Sequence, residues 1–101
     1  MLVTFYCDAY EDITLFGSVA IRFLEFMHQS DVVPGAILAE DIPGALQYLK
    51  LAVAREKENE YAEPKKNYDD EQDEVPLSKR AIPLIALFEA ANQAKCDVMW
   101  R

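Results

Sequence analysis

Apolar and polar positions change period several times along the chain, and each change predicts an element. Leu2, Val3, Thr4, Phe5 and Tyr6 are β-branched, aromatic or apolar, and Val3, Phe5 and Cys7 fall on one side. Residues 1–7 therefore read as a strand. From Asp12 to Gln29 the period lengthens: Ile13, Phe16, Ala20, Phe23, Leu24 and Met27 recur at intervals of three and four residues. That spacing predicts a long amphipathic helix with a wide apolar stripe. Asp8 and Glu11 have capping-box spacing ahead of it, with Asp12 as a competing cap. Gly17 would weaken an isolated helix by ~1 kcal/mol against Ala, so it marks close packing against a neighbouring element.

Pro34-Gly35 is a strong turn signal. Residues 36–41 then read either as a short third strand or as a tucked apolar loop. Asp41 ahead of Ile42-Pro43 has the pattern of a helix start. The second helix follows an Ile42, Leu46, Leu49, Val53 stripe to about Arg55, and the alternating charges of residues 55–60 extend it without a buried face. Residues 62–76 contain two prolines and the cluster Asp69, Asp70, Glu71, Asp73, Glu74. So acidic a stretch cannot bury enough apolar surface to offset its ordering entropy, which predicts a mobile loop. The last helix spans about Ser78 to Lys95 with Leu84, Ile85, Leu87, Phe88 and Ala91 inward. Pro83 has no N–H to donate, so a kink or restart is expected there. Cys96 to Trp100 reads as a closing strand, with Val98 and Trp100 on one face.

The elements predict one α+β domain over residues 1–101: three helices packed on a small sheet made from the N- and C-terminal strands, with room for a third strand near 36–41. Each terminal strand is the other's most obvious partner for unpaired backbone groups. An antiparallel pairing would bring Cys7 near Cys96, and a parallel one would separate them.

Charge narrows the function classes. The 101 residues carry a net charge of −8, with −5 over residues 1–54, −3 over 55–80 and none over 81–101. No segment builds a basic face, which argues against nucleic acid and against an anionic membrane surface. A 51% apolar composition argues against disorder, and two cysteines are too few for a disulfide scaffold. The N-terminal run lacks a cationic start, and no apolar stretch approaches the ~18 residues of a membrane span. A cytoplasmic protein with reduced thiols is the expectation.

Taken together, MLVTF at the start, DITLFGSVA, VPGAILAEDIPGAL, RAIPLIALFEAA and the closing DVMW resemble a family of small bacterial proteins, domain-of-unknown-function family 1840. The resemblance covers nearly the whole chain except roughly residues 55–75. It implies a stand-alone bacterial protein without an assigned activity and supplies no catalytic or ligand residues. The family's pattern has glycine, histidine, serine and glycine where this chain has His28, Gln29, Ser30 and Asp31. The histidine is thus offset by one position, which argues against carrying over a histidine-centred site. The pattern also has serine as the cap before the last helix, where this chain has Pro76 and then Ser78.

The concentrated polar chemistry is His28, Asp31, Glu40 and Asp41 around the Pro34-Gly35 turn. An imidazole with carboxylates is a candidate small-ligand or divalent-metal site, or an acid/base pair, although the spacing matches no metal motif. Capping and turn roles explain the same residues. Cys7 and Cys96 form no C-x-x-C, and Lys95 is the nearest base, so they read first as small buried hydrophobes rather than a redox or metal pair. No cofactor fingerprint or nucleophile motif is present, and the reading leans away from an enzyme. Leu15, Val19, Arg22 and Phe26 form a second ridge on helix one, off the main stripe. That ridge is a candidate interaction surface for a protein partner or a second copy, as is the free sheet edge.

Overall fold

Val3, Phe5 and Cys7 are all buried while the residues between them are not, and the side they share is the one the helices cover. The computed structural model describes residues 1–30, 32–62 and 76–101. It is an α+β fold in which strands β1 (Leu2–Cys7), β2 (Tyr10–Phe16), β3 (Gly35–Ile37) and β4 (Val98–Trp100) form one antiparallel sheet. Their order is β2-β1-β4-β3. Helices α1 (Gly17–Phe26), α2 (Ile42–Ala62) and α3 (Leu77–Ala94) cover one face.

The two outermost strands of the sequence pair as expected, and their direction, which the sequence left open, is antiparallel, with Phe5 opposite Trp100 and Tyr6 opposite Met99. Thr4 and Arg101 extend the ladder by exchanging both backbone hydrogen bonds, at 2.9 and 3.0 Å. The third strand near 36–41 is present as Gly35–Ile37, and residues 39–41 continue as a 3-10 turn. The second helix runs on through the alternating charges, as the pattern allowed.

Two expectations are corrected. Residues 12–16 are not the start of helix one but belong to β2, which pairs with β1 across the Asp8-Ala9 turn. Strand alternation puts the half-buried Ile13 and Leu15 inward and the exposed Thr14 and Phe16 outward. Ladder hydrogen bonds to β1, unavailable to a lone helix, decide the competition. Pro83 neither ends α3 nor restarts it; the helix is continuous through it. Its flanks Leu84, Leu87 and Phe88 are fully buried, and each contributes about 1.5–3 kcal/mol of burial against the hydrogen bond Pro83 forgoes. The acidic loop expected at about 62–76 lies, apart from its two ends, outside the described residues.

The core joins Val3 and Phe5 to Ala20, Phe23, Leu24 and Met27 of α1, Ile42 and Leu49 of α2, and Leu84, Leu87 and Phe88 of α3. Gly17 is buried against Met1, where a Cβ would come within 2.9 Å of the Met1 side chain, so the close packing read from the sequence is real.

Candidate functional site

His28 is the residue just past the C-cap of α1, and its φ is 62°. Its N–H bonds to the Glu25 carbonyl and that of Gln29 to the Leu24 carbonyl, the paired bonds of a Schellman motif. The exposed imidazole stacks flat on Tyr48 of α2, with ring centroids 4.0 Å apart and planes 4° from parallel. Glu40 and Asp41 are exposed on the 3-10 turn, and Asp31 lies outside the described residues. Among the described residues no group of three or more His, Cys, Asp or Glu is placed to hold a metal ion. The acid that caps the 3-10 turn comes from elsewhere in the sequence: Asp97 Oδ1 accepts from the Ala39 N–H at 2.8 Å.

The residues of the predicted second ridge divide between two elements. Leu15 sits on β2, while Val19, Arg22 and Phe26 sit on α1. Leu15, Val19 and Phe26 are half-buried and pack against the core. Arg22 lies over the Phe26 ring at 5.4 Å and reaches Glu56 of α2 at 3.5 Å, so helix one turns much of this ridge toward its own neighbours.

Large exposed apolar side chains gather instead where β2 meets α1 and α3. Leu2 and Phe16 are register partners across β1 and β2 and are 61% and 63% exposed. One shallow groove of about 420 Å³ is lined by Leu2, Thr14, Leu15, Phe16, Arg80 and Pro83. A second, of about 380 Å³, runs along Met1, Phe16, Gly17, Ser18 and Ile21. Phe16 is therefore a ridge between two grooves. Strand alternation puts Leu2, Thr4 and Tyr6 of β1, Thr14 and Phe16 of β2, Ala36 of β3 and Met99 of β4 on the sheet face away from the helices. Thr4 and Thr14 tie their hydroxyls together at 2.8 Å. Arg101 covers the Tyr6 ring at 4.2 Å and lies 3.9 Å from Asp12. This face is poor in net charge on a chain of −8.

Beside it, β2 is an edge strand. The Gly17 N–H bonds to the Met1 carbonyl at 2.8 Å, which fixes the alternation of the hairpin. Leu15 and Ile13 exchange bonds with β1, and Thr14 aims its N–H and C=O groups off the sheet.

A family model matches residues 1–100, every element of this fold included. The chain belongs to the family described as Domain of unknown function (DUF1840). No curated protein and no solved structure matches it. The face just described lies wholly within the DUF1840 match. So do the two cysteines, which the antiparallel pairing brings together: both thiols are free, Cys7 buried and Cys96 half-exposed, within thiol–thiol hydrogen-bonding reach. Burial pushes the Cys7 thiol above its ordinary value. Among the described residues, no helix is long and apolar enough to cross a membrane.

Sequence reasoning missed this face because Phe16 fell into a helical stripe. The signal that could have found it is the pair of strand-like runs flanking Asp8-Ala9. A two-residue connection between strands is the mark of a hairpin.

Proposed function

We propose that this DUF1840 chain is a non-enzymatic association module, and that it pairs with a second copy of itself through the β2 edge and the adjoining Leu2–Phe16 corner. The observation that carries the reading is the exposed Phe16 ridge standing beside a groove lined by Leu2, Leu15 and Pro83. A two-fold axis would seat each copy's ridge in the other's groove, the self-complementarity an isologous interface requires. Charge supports the same occupant. Two chains of −8 repel least when the faces they present are nearly neutral, and this face is. The outward N–H and C=O groups of Thr14 supply an edge on which a second β2 can pair.

Sedimentation velocity tests the reading. The wild-type chain is expected to sediment as a dimer at micromolar concentration. Phe16→Asp places a carboxylate in each groove, and Thr14→Pro removes an outward N–H and leaves the backbone ladder to β1 in place, giving up the Thr4–Thr14 hydroxyl bond. Both are expected to sediment as monomers with the far-ultraviolet circular dichroism of the wild type. A wild-type chain that stays monomeric at high micromolar concentration overturns the proposal. The stacked His28 and the outward Glu40 and Asp41 go with capping and surface roles rather than with a ligand site.

A further inference from the structure

The association reading leaves Cys7 and Cys96 unused, although the pairing of the adjacent strands β1 and β4 draws them together from positions far apart in the sequence. Cys7 ends β1. Cys96 lies between α3 and β4, where Lys95 takes a left-handed turn (φ 59°) and the Cys96 N–H returns to the Ala91 carbonyl at 3.1 Å. The Tyr6–Met99 pairing carries Cys7 to the level of Val98, two residues from Cys96, and the two thiols come within hydrogen-bonding reach. Their environments are unequal. Cys7 is 8% exposed and belongs to the core, whereas Cys96 is half-exposed at its margin. An accessible thiol backed by a buried one is the arrangement in which a first reaction at the surface is resolved from beneath.

We propose that Cys7 and Cys96 are an oxidisable dithiol, converted to an intrachain disulfide by exchange with a low-molecular-weight disulfide of the glutathione class. The Cys96 thiolate attacks one sulfur of glutathione disulfide. The S–S bond breaks, one glutathione thiolate leaves, and a mixed disulfide forms on Cys96. Cys7 then loses its proton to solvent and attacks the Cys96 sulfur, and the second glutathione thiolate departs. Two protons leave the protein thiols and two are taken up by glutathione, so the chain loses two electrons and glutathione disulfide gains them. Exposure fixes the order: Cys96, half-exposed, reacts first, and Cys7, 8% exposed, resolves. Cys96 belongs to no ladder, so its sulfur can close on Cys7 without breaking a strand pair.

The experiment takes the full chain, reduced, into a buffer of reduced and oxidised glutathione, blocks residual thiols by alkylation and reads the intact mass. The wild type is expected to pass to a single-chain species lacking two hydrogens, with no glutathione retained. Cys7→Ala is expected to accumulate one glutathione per chain when oxidised glutathione is in excess, because no second protein thiol displaces it. Cys96→Ala is expected to react more slowly than wild type, on the order of tenfold or more. A wild-type chain that keeps both thiols free, retains glutathione on Cys96 or cross-links to a second chain overturns the proposal. A Cys96→Ala chain reacting as fast as wild type overturns the assigned order.

Discussion

Gly35 and Trp100 face one another across β3 and β4, and the indole occupies the space a side chain at Gly35 would need. A Cβ there would lie 2.5 Å from Trp100 Cζ2 and 2.6 Å from Cε2. The indole is itself pinned: Nε1–H donates to the Val32 carbonyl at 2.9 Å and the ring rests against Phe5 at 5.8 Å. Gly35→Ala is therefore expected to cost about 1–3 kcal/mol as an overpacking change. Urea unfolding followed by the fluorescence of the single Trp measures it. Gly44→Ala is the control: nothing lies within 4 Å of a Cβ there, and a stability gain of about 0.4–1 kcal/mol is expected.

Two helices end on non-glycine residues in the left-handed region, His28 and Lys95. A side chain there carries a steric cost that glycine avoids. Lys95→Gly is expected to raise stability by up to ~1 kcal/mol. His28→Gly is expected to gain less, because it also removes the stack on Tyr48. Thermal melts of both variants check this, and a large loss of stability at either position would contradict it.

Asp97 caps a turn more than fifty residues away in sequence, through the Ala39 N–H. Asp97→Ala is expected to cost about 1 kcal/mol, and Asp97→Asn, which keeps an acceptor, distinctly less. Paired urea titrations give the difference.

The Cys7 thiol is raised from its ordinary value of 9.0, first by burial and then by the neighbouring Cys96. A thiol that holds its proton longer in the folded chain gives a contribution fully present below the unfolded pKa and lost as pH rises toward the folded one. Stability is therefore expected to fall above about pH 9, and the fall should be shallower in Cys7→Ala. Melting temperatures across pH 7–10.5 for the two proteins, in reductant, decide it.

The sequence made β1, β4 and the stripes of α2 and α3 legible, because each has an unbroken local pattern. It did not make β2 legible, because Ile13, Phe16 and Ala20 satisfy a helical period while Ile13, Leu15 and their outward neighbours satisfy an alternating one. Only the partnership with β1, a contact between segments, separates the two. The exposed Leu2–Phe16 corner was lost with it, since placing Phe16 in a helical stripe hides its exposure. His28 was legible as chemistry but not as geometry, because a histidine does not announce the left-handed turn it takes at the end of α1. The adjacency of Cys7 and Cys96 hung on strand direction, which local pattern does not encode.

The neighbourhood of β1 and β4 in the middle of the sheet also sets a timetable for biosynthesis. Phe5 leaves the ribosome some ninety-five positions ahead of Trp100, its cross-strand cover. Until then the nascent chain can close the β1–β2 hairpin and coil its helices, but the centre of the sheet lacks its fourth strand and β3 lacks its only neighbour. Contacts of such long sequence separation form late and slow folding. Closing the sheet therefore waits on β4, which inserts between β1 and β3 after both have been synthesised.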